Sequence, residues 1–239
     1  MKRLRELIEN VSGYNIVKKG YLPVGASLVE DILYKLRVEP RLIFDVGANI
    51  GQTCERFREG FPDATIYAFE PFQEAFSLLE NKFLNEDMVK PYHLGFGSEK
   101  ARLNVVIDQK SHSVLNSFRN VAKPNKNRGE MEEVEVSTVD LFMKSIDFGY
   151  LDILKIDTEG WEVEVLKGAE NILKERKVGA VYCECGFSEN NNRNTYFSSI
   201  CQFLESYEYF FYGLYGIRHN QFKRNTHYAN ALFVHKDKI

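Results

Sequence analysis

From residue 40 onward, short apolar runs of strand type alternate with amphipathic stretches of helix type, and this alternation constrains the fold more than any other feature of the chain. Residues 41–46 read as a strand, 51–59 as a helix, and 64–70 as a second strand rich in Tyr, Phe and Ile. Phe72, Ala75, Phe76, Leu79 and Phe83 fall at i, i+3, i+4, i+7 and i+11, the stripe of a helix that buries one face. Strands are expected at 89–94, 102–107, 133–136, 151–156 and 178–184. Helices are expected at 139–145, 165–173 and 195–207. Residues 209–215 and 228–235 read as two closing antiparallel strands. Strand and helix repeated in this way give a mostly parallel sheet with helices on both faces. Ligands of such sheets bind beyond the carboxyl ends of the strands, so the residues directly after each strand are where chemistry is expected.

A chain of 239 residues suits one α/β domain, read here as residues 39–239 with a helical extension over 1–38. In the extension, Leu4, Leu7, Ile8 and Val11 have helical spacing and predict a short helix docked on the domain. The basic start lacks the continuous apolar stretch of a secretory signal, and no apolar run approaches the roughly 20 residues a membrane span needs. The net charge of −3 gives no basic excess with which to neutralise a nucleic acid, so none is expected as a partner. Cys54, Cys183, Cys185 and Cys201 show no paired metal-ligand spacing. Cys183 and Cys185 would share one face of a strand, a poor geometry for a mutual disulfide. Reduced thiols and a cytoplasmic location are the expectation.

Three strand ends carry polar residues with chemical meaning. The first reads Asp45-Val46-Gly47-Ala48-Asn49-Ile50-Gly51, a glycine turn into a helix whose exposed amide groups favour a carboxylate or phosphate. It is not the dinucleotide fingerprint, since Asn49 and Gln52 stand where glycines would be needed. A plain strand–helix turn explains it equally well by itself. The second ends at Glu70-Pro71, with Glu70 placed 19 positions after Gly51. A carboxylate at that distance accepts hydrogen bonds from the two hydroxyls of a ribose, or else caps the next helix. Together the two ends imply a nucleoside-containing cofactor. The third reads Ile156-Asp157-Thr158-Glu159-Gly160-Trp161-Glu162. Asp157 and Glu159 there suit a cationic ligand such as the sulfonium and ammonium groups of S-adenosylmethionine, or general-base chemistry. The alternative for Glu159 and Glu162 is capping of the following helix.

These three stretches, with the continuation Val163-Glu164-Val165-Leu166-Lys167-Gly168-Ala169, resemble the FkbM family of S-adenosylmethionine-dependent methyltransferases, in order and spacing, over about residues 40 to 210. The resemblance implies a Rossmann-like class I methyltransferase sheet of seven strands in the order 3-2-1-4-5-7-6, with strand 7 antiparallel. It implies S-adenosyl-L-methionine as cofactor and methyl transfer to a hydroxyl, most often on a saccharide. Asp45, Gly47, Asn49 and Gly51 would then surround the methionine and ribose end. Glu70 would hold the ribose hydroxyls, and Leu94-Gly95-Phe96-Gly97-Ser98 would lie over the adenine. Ser98 departs from the family, whose members often carry aspartate there. Asp157 would lie near the transferred methyl, with Glu159 as the candidate base.

No metal is expected, because only Asp157, Glu159 and Glu184 offer themselves as ligands. Glu184, at a strand end, could also reach the acceptor pocket. Residues 108–129 are rich in Ser, Asn, Lys and Arg and read as a long loop. In it, Lys110, Ser111, His112, Ser113 and Asn116 could fold over a substrate, and His112 is an alternative base. Lys123, Lys126 and Arg128 would meet an anionic acceptor or simply be solvated. The aromatic group Phe203, Tyr207, Tyr209, Phe210, Phe211, Tyr212 and Tyr215 suits core or homodimer packing, or stacking on a sugar. A non-sugar small-molecule acceptor and a nucleotide-dependent oxidoreductase are the competing readings. The absent dinucleotide fingerprint, and Asp45 before Gly47, argue against the oxidoreductase.

Overall fold

The computed structural model describes residues 8–12, 17–18, 20–107, 130–189, 193–220 and 225–238. The main sheet has seven strands. Five run parallel: β1 (Leu42–Val46), β2 (Thr65–Phe69), β3 (Val89–Tyr92), β7 (Leu151–Ile156) and β8 (Val178–Gly186). β9 (Tyr209–Asn220) and β10 (Asn225–His235) close it, and β10 lies antiparallel between β8 and β9. The order β3-β2-β1-β7-β8-β10-β9 is the expected 3-2-1-4-5-7-6 with its last strand antiparallel.

The central strands lack strict alternation because both faces of the sheet are covered. In β1, Leu42, Phe44 and Val46 enter one core while Ile43 enters the other. The first core takes α3 (Val139–Ser145), α4 (Glu162–Lys167), α5 (Glu170–Lys174) and α6 (Phe197–Glu205). The second takes α1 (Gln52–Gly60) and α2 (Gln73–Lys82).

The helix expected over 165–173 is two helices. Gly168 lies between them, and a Cβ there would stand 2.0 Å from the Gly97 carbonyl oxygen, so only glycine allows that close approach. The Asp140 carboxylate receives the amide groups of Asn171 and Ile172, each at 3.0 Å, which caps α5. A second, three-stranded sheet was not expected. β6 (Glu130–Ser137) pairs parallel with β4 (Gly95–Phe96) and antiparallel with β5 (Ala101–Ile107). Its Val105, Val134 and Val136 pack on Phe72 and Trp161, beside the carboxyl edge of the main sheet.

The N-terminal segment is only partly as expected. Residues 8–12 are helical, yet Val11 is 81% exposed, so the docked stripe does not extend to it; Leu4 and Leu7 lie outside the described residues. The segment that does dock is Leu28–Glu30, continued by a π-turn over Asp31–Lys35. Ile32 is buried in the second core, and buried Asp31 accepts hydrogen bonds from Gly25 N (2.8 Å) and the Tyr215 hydroxyl (2.7 Å). The four cysteines are free, and among the described residues no helix is long and apolar enough to cross a membrane.

Candidate active site

Four strand ends meet at one cleft of about 270 Å³ at the carboxyl edge of the sheet. After β1 the chain turns sharply, and the amides of Gly47 and Ala48 both donate to the Phe69 carbonyl at 3.0 Å. Asp157 N donates to the Val46 carbonyl at 3.0 Å, which ties the third strand end to the first. Gly47 has φ +76°, and a Cβ on it would stand 1.9 Å from the Asp157 carbonyl oxygen. Only glycine fits that position. Gly47→Ala is therefore expected to cost more than about 1 kcal/mol of stability, read as a lower urea midpoint; an unchanged midpoint would mean that the two strand ends part without strain.

Asn49 takes the left-handed conformation (φ +52°) that asparagine tolerates better than most side chains. Its amide donates to Glu70 Oε2 at 2.9 Å, and Phe72 N donates to Glu70 Oε1 at 3.1 Å. Glu70 is thus held by two backbone groups and is only 4% exposed, yet it lines the cleft. Burial pushes its carboxyl up to about 7, against the opposing pull of the Phe72 and Asn49 amides.

Beneath the cleft lies a buried ion pair. Asp45 and Lys155 are direct partners on neighbouring strands, which brings Lys155 Nζ to 2.7 Å from Asp45 Oδ1. The same ammonium donates to the Gly47 carbonyl at 3.0 Å and stands 3.8 Å from Asp157 Oδ2. Burial lowers its pKa, but Asp45 and Asp157 outweigh that and the net shift is upward. Lys155 therefore stays charged and fixes the floor under the first and third strand ends. The other Asp45 oxygen accepts from the Cys54 thiol at 3.1 Å.

The turn after β7 is organised by Glu162, which is fully buried. Its Oε1 accepts from Thr158 N and Gly160 N, both at 3.0 Å, and its Oε2 accepts from the Thr195 hydroxyl. This holds Glu159 in a left-handed conformation (φ +52°) with its carboxylate in the cleft wall. Both Glu159 oxygens accept from Arg193, one from Nε and one from Nη2. Glu184 lies beside them, 7% exposed, with Asn194 Nδ2 donating to its Oε2. Burial, then the charges of Asp157, Glu159 and Glu162, push the Glu184 carboxyl upward.

Of the residues singled out from sequence, Gly47, Asn49, Glu70, Phe96, Asp157 and Glu159 line the cleft. Asp45, Gly51, Gly97 and Ser98 are not among its lining residues. Asp45 is turned to Lys155 below, and Gly51 (φ +87°) packs on Phe83, where a Cβ would come within 2.4 Å. Phe96 is fully buried, its ring centroid 4.5 Å from that of Phe69, and Gly97 sits on Val136 and Trp161. Ser98 is exposed. The residues 110–128 read as substrate-facing, including His112, lie outside the described residues. Lys155, Arg56 and Arg193 also line the cleft and were not expected there.

Asp157, Glu159 and Glu184 each offer one oxygen within 4.8 Å of the others, the one group among the described residues with this property. A cation entering it would displace the Arg193 guanidinium from Glu159. The fit to S-adenosylmethionine is better founded. A buried carboxylate suits a ribose diol, Leu94 and Phe72 give an apolar flank, and Asp157 suits a sulfonium or an ammonium.

A family model described as the methyltransferase FkbM domain matches residues 45–211. "Methyltransferase 1" of Beauveria bassiana (strain ARSEF 2860) is 28% identical over 145 residues, 54% of this chain; the chain spans 58% of the length of that relative. Among solved structures, M. capricolum TrmK in complex with S-adenosyl-homocysteine is similar at TM-score 0.49 and 10% identity, over 89% of this chain and 70% of that one. The precorrin-6y C5,15-methyltransferase of Geobacter metallireducens GS-15 is similar at TM-score 0.47 and 12% identity, over 94% and 95%. The family model spans well over half of the sequence and contains every strand end that builds the cleft, and on that match the chain belongs to the methyltransferase FkbM domain family.

Proposed function

We propose that the protein transfers a methyl group from S-adenosylmethionine to a hydroxyl oxygen of a saccharide, with the cleft at the carboxyl edge as the site. The observation that carries this reading is the convergence of Glu70, Asn49, Asp157 and Glu159 on one cleft, with a polar mouth of Gln52, Thr53 and Arg56 suited to a hydroxyl-rich acceptor. The cofactor supplies a methyl group on a cationic sulfur. Asn49 and Glu70 bind the ribose, and Leu94 with Phe96 bounds the base. Asp45 and Gly51 shape the loop rather than touch the ligand, and Lys155 keeps Gly47 and Asp157 in register. Asp157 faces the methyl, and Glu159 takes the proton that the acceptor hydroxyl gives up.

Glu70→Ala is expected to weaken binding of S-adenosylhomocysteine by roughly 1.5–3 kcal/mol, the value of hydrogen bonds to a charged group. The pH dependence has a definite sign. Ribose hydroxyls donate to the ionised carboxylate, so the ligand favours the deprotonated form. Affinity should rise from pH 5.5 to about 7, where Glu70 loses its proton, and level off above it. Calorimetry across that range checks both statements, and an affinity flat with pH and unchanged by the substitution would remove Glu70 from the ribose site. The acceptor class is tested with a panel of glycosides, amines and amides and the methyl-labelled cofactor. Labelled ethers are expected, and label found only on nitrogen would overturn the hydroxyl reading.

A further inference from the structure

The pair Arg193–Glu159 sits where an acceptor must bind. Arg193 follows β8 and is anchored at its base, because the next two residues are buried and engaged: Asn194 donates to Glu184 and Thr195 to Glu162. Its side chain is different. It is 49% exposed, whereas the Glu159 side chain it grips is 14% exposed. A half-exposed guanidinium on a fixed stem therefore covers a carboxylate in the cleft wall, and the fork engages both oxygens. Arg56 stands on the same cleft, its Nη2 donating to the Thr53 hydroxyl at 3.1 Å, with no carboxylate partner among the described residues.

We infer that Arg193 is an acceptor-reading residue: a carboxylate or phosphate on the acceptor takes its guanidinium, with Arg56 assisting, and thereby uncovers Glu159. This inference rests on the proposed methyltransferase site and narrows its acceptor to an acidic one, a sugar acid or a sugar phosphate. Three observations support it. The fork of an arginine matches either oxyanion as well as it matches the Glu159 carboxylate, so the exchange conserves hydrogen bonds. Arg56 is exposed and Arg193 half-exposed, so both guanidinium groups face solvent at the cleft, whereas Lys155 is buried against Asp45 and Asp157. Burial also raises the Glu184 carboxyl, which removes a charge that would oppose an anion. Both Glu159 oxygens already accept from the guanidinium, so a neutral hydroxyl compound meets only their remaining lone pairs, whereas an anion that takes the guanidinium frees the carboxylate fully.

The test uses the full chain loaded with S-adenosylhomocysteine and titrates in D-glucuronate, inorganic phosphate and D-glucose by calorimetry. At least one anion is expected to bind ten-fold or more tightly than glucose, and which one distinguishes the carboxylate from the phosphate source. Arg193→Gln should lower that anion's affinity about ten-fold. Glu159→Gln should raise it several-fold, because the guanidinium is then released without an anion. Arg193→Lys, which keeps the charge but not the planar fork, should also lose most of that affinity, whereas an effect of net charge alone would leave Arg193→Lys near the parent. Equal binding of glucose and both anions, no anion binding up to about 10 mM, or shifts of the same sign in both variants would overturn the inference. S-adenosylhomocysteine binding is measured first in each protein. Its loss in the wild-type protein would sink the methyltransferase site itself, whereas normal binding with a failed anion arm sinks only the acidic acceptor.

Discussion

Lys155→Met is expected to destabilise the protein by roughly 3–5 kcal/mol, the cost of breaking a buried ion pair from one side. The change leaves Asp45, which is fully buried, with its main compensating charge removed. It also deletes the donor to the Gly47 carbonyl, so the turn after β1 loses one of its ties to β7 and keeps the Asp157 amide on the Val46 carbonyl. Replacing both charges, as in Asp45→Leu with Lys155→Met, should recover much of the loss, since no charge is then stranded. The folded-state pKa of Lys155 is raised, so the contribution of the pair is complete below the ordinary lysine range. It is lost only as pH rises through that range and beyond. Urea denaturation at neutral pH measures both variants. A single variant within about 1 kcal/mol of the parent would show that Asp45 finds water or another donor, and would end the role given to this pair.

Glu159→Gln is expected to lower turnover by about 10²-fold or more while leaving the affinity for S-adenosylhomocysteine nearly unchanged. The amide keeps the shape of the carboxylate but cannot take a proton from an acceptor hydroxyl. The turn around it should survive, because Glu162 and Thr195 hold residues 158–160 without using the Glu159 side chain. Single-turnover rates with a fixed acceptor separate the two quantities. Parent-like turnover would transfer the base role to Asp157 or Glu184, both of which share its cleft.

The strand cores were legible where burial leaves an unbroken apolar run. β7 spans residues 151–156 as read, and β1 differs by one residue, because both lie inside the sheet and end at polar turns. Strands with a free edge or a bulge were less so. β9 and β10 run past the expected 215 and begin before the expected 228, and their ladder carries irregularities at Thr226/Tyr228 and Tyr228/Asn230. The three-stranded sheet was illegible as a unit, since the pairing of Gly95–Phe96 with residues 136–137 is set by contacts some 40 residues apart.

The site shows the same division. Glu70, Gly47 and Asp157 stand directly after strands, so position alone pointed to them. Lys155 was inside a recognised motif but drew no role, because a lysine in a strand ordinarily faces water. Its signal is the cross-strand register with Asp45, which needs the sheet. Arg193 lies in the polar run 188–194, where composition predicts only solvation, and its partner Glu159 is 34 residues away. The family resemblance implied Asp45 as a ligand contact; alternation along β1 instead turns it below the cleft, toward the Lys155 ammonium.

The central claim is that the cleft bounded by Glu70, Asn49 and Asp157 is an S-adenosylmethionine site. The most direct measurement is calorimetric titration of the purified protein with S-adenosylmethionine, S-adenosylhomocysteine and NAD⁺ in parallel. Saturable one-to-one binding of both adenosyl ligands, with none of NAD⁺, is the result predicted here. Binding of NAD⁺ alone, or of none of the three, would contradict it.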